Sequence, residues 1–209
     1  MTSMENTFVC LAAPLGLAIL CLRDEGRRGL IFLLAGMTSC LFSAYVSAFL
    51  ASVLDADLAT ASHAIAPAVE EIMKGLPLLF YLMVFEPEKR SAVNGALLAA
   101  VGFATFENVC FLTSNGTGEL VRLAVRGFGA GAMHVVCGMT VALGLSFLWD
   151  QVWLRVVGGF GLMCSVITFH AVFNVFVSQT GPVFWIGNAI PLAMVLAYLL
   201  FFRWKAKLS

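Results

Sequence analysis

Three ionisable side chains, Glu70, Glu71 and Lys74, lie within five positions of an otherwise apolar stretch from about Ala64 to Phe85. A run of roughly 20 apolar residues has the length of a membrane-spanning helix. Each charge at the centre of such a helix costs about 2.5–3.5 kcal/mol on insertion scales. Such groups need partners or a wet cavity, and proteins keep them where they act. The rest of the chain agrees with a membrane setting. Of its 209 residues, 61% are hydrophobic and 11% charged, whereas a soluble domain carries roughly 25% charged residues. Mean hydropathy is +0.96. The apolar blocks are helix-length and do not alternate, which excludes barrel strands. A net charge of zero without a basic run argues against a nucleic-acid partner.

Polar breaks divide the chain into seven apolar blocks, at about 7–22, 29–54, 64–85, 92–112, 123–148, 156–178 and 182–202. The expected fold is therefore all-α, a polytopic helical membrane bundle of about seven transmembrane helices. The breaks are short, so one domain spanning 1–209 is expected, with its motif-bearing core at about 64–178. The first block is followed by Arg23-Asp24-Glu25-Gly26-Arg27-Arg28 and not by small residues, which reads as a retained helix and not as a cleaved signal. With seven spans, Arg23, Arg27, Arg28, Lys89, Arg90, Arg155, Arg203, Lys205 and Lys207 share one side. Only Arg122 and Arg126 mark the other. The positive-inside rule then puts the N-terminus outside and the C-terminus in the cytoplasm of a bacterial-type cell.

That orientation places four ionisable groups on separate helices in the outer half of the membrane. At 1.5 Å per residue, Glu70 lies ~9 Å and Glu107 ~8 Å below the outer edge, with His134 at ~16 Å and His170 at ~12 Å. Glu70 and Lys74, Phe103 and Glu107, and His170 and Asn174 are each i, i+4 pairs on one helix face. Glu71 and Lys74, at i, i+3, can pair. Pro67 suits a first helical turn, and Pro77 is placed to kink the helix beyond the charged patch. Gly127, Gly131 and Gly138 are expected to admit a close helix neighbour.

The ordered motifs E70-E71-x-x-K74, F103-x-x-x-E107-N108 and H170-x-x-x-N174 resemble the PrsW family of intramembrane proteases. That family looks related to the CAAX prenyl endopeptidases and bacteriocin-processing membrane proteases. The resemblance spans Glu70 to Asn174. Asn174 stands where the PrsW pattern has Asp, as in the CAAX relatives, and Glu107 stands where those relatives have His. The resemblance implies an endopeptidase acting on a membrane-anchored protein or peptide. Glu70 would be the general base and Glu71 the partner of Lys74. Glu107 would hold the water, and His170 with Asn174 would face the oxyanion. His134 would polarise the carbonyl or orient a carboxylate, with Phe103 and Asn108 in support.

Peptide hydrolysis needs an activated water and donors for the oxyanion. On this reading no cofactor is required. Glu70, Glu107, His134 and His170 also form a zinc-competent ligand set, although no HExxH motif is present. Plainer readings exist for several of these groups. Glu71 and Lys74 also suit a buried ion pair, His134 a helix-packing hydrogen bond, and Asn174 a bond between helices. His63 suits the solvated interface, and Asn115-Gly116-Thr117 matches a glycosylation sequon. Phe80-Tyr81 and Phe201-Phe202 suit lipid-facing or belt positions. Cys10, Cys21, Cys40, Cys110, Cys137 and Cys164 are scattered, without metal or disulfide spacing. A proton-coupled transporter would also bury Glu, Lys and His, and a non-catalytic scaffold could keep the same fold. Clustering of the ionisable groups on one side, without an inverted repeat, favours the protease.

Overall fold

The computed structural model describes residues 4–115 and 120–208, excluding the side chains of 115 and 202–208. The sequon at Asn115-Gly116-Thr117, the Phe202 ring and the side chains of Arg203, Lys205 and Lys207 lie outside the described residues. The chain forms seven long helices: α1 (Met4–Cys21), α2 (Asp24–Val53), α3 (Ala66–Phe85), α4 (Lys89–Asn115), α5 (Leu120–Leu148), α6 (Gly159–Val177) and α7 (Pro182–Leu208). A single turn at Leu58–Thr60 and two π-helical turns, Ala61–Ile65 and Leu154–Gly158, complete the described secondary structure.

The helices follow the seven apolar blocks, and α2 starts earlier than expected because the charged segment from Asp24 to Arg28 is itself helical. Six are long and apolar enough to cross a membrane. The seventh, α3, carries Glu70, Glu71 and Lys74 in the first half of its 20 residues. It sits among the other helices, with Glu71 and Lys74 buried. Glu86 ends α3 in a left-handed conformation (φ 42°, ψ 53°), and Pro87 prevents the helix from continuing. The outer surface is apolar: α1 buries none of its residues, while Leu20 and Trp153 are 78% and 81% exposed. Water would not tolerate so large an apolar surface, and lipid would. The protein is a multi-pass integral membrane protein.

Small residues determine how closely the helices approach. A Cβ at Gly36 of α2 would overlap the Ala99 backbone, and one at Gly102 of α4 would overlap the Leu33 backbone. These two glycines let α2 and α4 pack backbone to backbone, as is common where there is no water to drive association. On α5 the expected glycine contacts are uneven. Gly138 lies against Ala100, whereas Gly131 faces open space. Gly129 makes the closer approach, against Asn188 of α7. Two apolar clusters flank the charged centre. One joins Leu78, Met133, Val166 and Phe173 across α3, α5 and α6. The other gathers Met37, Cys40, Phe103 and Phe106 between α2 and α4.

The π-turn before α3 has a sequence cause. The Ala66 N–H bonds Ala61 O, one residue further back than in an α-helix. The Ser62 carbonyl would next accept from position 67, but Pro67 has no N–H. The Asn174 amide of α6 supplies the missing donor, at 3.0 Å. Just ahead, the Asp57 carboxylate accepts from the Thr60 N–H at 2.7 Å, and hydrogen bonding from Thr60, its side chain first and its backbone second, holds the Asp57 pKa below the usual range.

Candidate functional site

Four helices carry the ionisable centre: Glu70, Glu71 and Lys74 on α3, Glu107 on α4, His134 on α5 and His170 on α6. One chain of polar contacts joins most of them. Glu71 Oε1 accepts from Lys74 Nζ at 2.7 Å and pairs with His170 Nδ1 at 2.8 Å. Lys74 Nζ also lies 2.8 Å from His134 Nδ1, and His134 Nε2 lies 2.6 Å from Glu107 Oε2. His134 is wholly buried, with Lys74 and His170 nearly so. The Phe103 ring covers this centre, 5.0 Å from Lys74 Nζ and 4.9 Å from the His134 ring.

The network assigns the imidazole protons. An ammonium can only donate, so His134 Nδ1 accepts from Lys74 and Nε2–H donates to Glu107. His170 Nδ1–H donates to Glu71, and its Nε2 lies 3.6 Å from Glu70 Oε2. That Glu70 oxygen is buried and has no hydrogen-bond partner among the described residues. An orphaned buried carboxylate oxygen is costly, and it is the strongest local sign that something else belongs beside it.

Glu70, His134 and His170 bring one ligand atom each to within 4.8 Å of one another. Two histidines and a glutamate form a recurrent protein ligand set of catalytic zinc. Around such an ion ligand atoms sit roughly 3.3 Å apart, so the triplet would contract by about 1.5 Å at most. The unpartnered Glu70 oxygen and the free His170 nitrogen therefore fit a divalent metal. His134 would fit through Nδ1 once Lys74 gives up its hydrogen bond there, with Nε2–H still donating to Glu107. Glu71 orients His170 from behind, as carboxylates orient metal-binding imidazoles.

Of the residues anticipated from sequence, Glu70, Glu71, Lys74, Glu107, His134, His170 and Phe103 converge. Asn174 donates its amide to Ser62 O at 3.0 Å instead of to any of these side chains. Asn108 sits at the rim, donating to Gly127 O at 3.4 Å. Sequence alone marks Arg126 only as a topology-setting charge. Its guanidinium reaches Asn108 Oδ1 at 3.0 Å and Glu107 Oε1 at 3.4 Å, and it stacks 3.6 Å from the Phe111 ring centre. Glu107 is thus held between His134 inside and Arg126 outside.

No curated protein and no solved structure matches the chain. The family described as PrsW family intramembrane metalloprotease matches residues 26–204, which takes in the whole ionisable centre. The chain belongs to the PrsW family of intramembrane proteases.

Proposed function

We propose that Glu70, His134 and His170 hold a zinc-like divalent ion, and that Glu107 acts beside it as the general base in hydrolysis of a membrane-anchored polypeptide. The convergence of those three side chains around an unpartnered Glu70 oxygen carries this reading. It moves Glu70 from general base to ligand and takes up the zinc-dependent alternative, with Glu107 as base instead of fourth ligand. When bound, such an ion supplies Lewis acidity toward the scissile carbonyl and the attacking water. The residues do the rest. Glu71, neutralised by Lys74, fixes the His170 ring. Glu107, the more open carboxylate with 28% of its side chain exposed, takes a proton from the water and returns it to the departing amine nitrogen. Arg126 holds Glu107 in line for both transfers. The motif-bearing core, 64–178, works within one domain, and the asymmetry of Lys and Arg directs cleavage to the extracytoplasmic side.

One observation favours a second reading. Both His134 nitrogens are already hydrogen-bonded, which suits a metal-free site where Glu70 activates the water. Cleavage of a single-span substrate by protein reconstituted in lipid separates the two. The metal reading expects chelation to abolish cleavage and zinc to restore it. Undiminished cleavage after exhaustive chelation would leave the glutamate mechanism.

A further inference from the structure

A cleft of about 1300 Å³ opens between α2, α3 and α4 at the opposite end of α3 from its π-turn. It is separate from the ionisable centre: its nearest wall on α3 is Pro77, three residues beyond Lys74. Along α2 it runs from Asp24 to Ala35, about 16 Å at helical rise. Its depth is apolar, lined by Phe32, Pro77, Phe80 and Leu98. Its mouth carries both signs of charge, Arg27, Arg28 and Arg90 with Asp24, Glu25 and Glu88. Among the described residues none of these six is in an ion pair.

We propose that this cleft binds one zwitterionic phospholipid with a primary ammonium headgroup. An apolar groove one or two helical turns deep accepts acyl chain, and its charged mouth lies where a headgroup would sit. Arg28 is already oriented, donating to Ser91 Oγ at 2.9 Å, and Ser91 Oγ lies 2.9 Å from the Tyr81 hydroxyl. Guanidinium is the preferred side chain for phosphate, presenting paired donors. A purely anionic headgroup would meet Asp24, Glu25 and Glu88 as like charges. A phosphate-plus-ammonium headgroup satisfies both sets. Tyr81 therefore faces this cleft, with its ring edge-on to Phe32 at 5.1 Å.

The test is native mass spectrometry of the full-length protein from nanodiscs holding equal phosphatidylethanolamine and phosphatidylglycerol. The expected result is one retained phosphatidylethanolamine per chain. Retention should fall about tenfold or more in the Arg28→Gln/Arg90→Gln variant and recover substantially in Arg28→Lys/Arg90→Lys. Glu25→Gln/Glu88→Gln should shift retention toward phosphatidylglycerol. Unchanged phosphatidylethanolamine retention in the Arg28→Gln/Arg90→Gln variant would overturn the proposal, as would a preference for phosphatidylglycerol in the unaltered protein. None of these positions belongs to the peptidase site, so the outcome is independent of that reading.

Discussion

At the scale of single residues, Lys74 holds the centre together. It contacts Glu71 at 2.7 Å and His134 at 2.8 Å, and its ammonium is the charge that makes burial of Glu71 tolerable. Lys74→Met should destabilise the fold by about 3–5 kcal/mol, because an uncompensated buried carboxylate remains. Thermal unfolding in detergent measures this directly, and a stability equal to the unaltered protein would show that His170, 2.8 Å from Glu71 Oε1, suffices to hold that carboxylate without Lys74. Arg126 acts differently. It touches Glu107 from the rim and is partly exposed, so Arg126→Met should leave the fold intact. Loss of an outer positioning group commonly lowers activity about 10–100-fold. The fall should appear in kcat with the pH profile of cleavage displaced, since Glu107 loses a neighbouring cation. An unaltered kcat and pH profile would remove Arg126 from the mechanism.

Among the elements, the π-turn at Ala61–Ile65 and helix α6 are bound together through Asn174. The sequence placed Asn174 on the same face as His170, which suited an oxyanion donor equally well. Only the combination of Pro67 and the displaced Ala66 hydrogen bond shows that the Ser62 carbonyl needs this amide. Asn174→Ala should therefore cost about 1–3 kcal/mol of stability by leaving a part-buried carbonyl unsatisfied. Cleavage per folded molecule should stay near that of the unaltered protein. A folded Asn174→Ala protein with kcat reduced a hundredfold would return Asn174 to the reacting centre.

On the scale of the whole molecule, the helix count was legible because each apolar block is long and its breaks are polar. The convergence of Glu70, Glu107, His134 and His170 was legible too, since each interrupts an apolar helix at a similar depth. Arg126 was not. A cation in the first turns of a helix is cheap at a membrane edge, so its presence carried no signal beyond topology. Nor could sequence reveal that both His134 nitrogens are engaged, which depends on helix rotation and packing. Orientation still rests on the asymmetry of Lys and Arg. Tags at the two ends should label from opposite sides, the N-terminal one from outside, and two tags reached from the same side would refute that topology.

The central claim is that peptide bonds are cut at the centre built around Glu70. Glu70→Gln keeps the side chain's shape but removes its charge, so it suits a direct test. Reconstituted with a single-span substrate, a folded Glu70→Gln protein should cleave about 10²–10⁴-fold more slowly than the unaltered chain. Cleavage at the original rate by that folded variant would contradict the account.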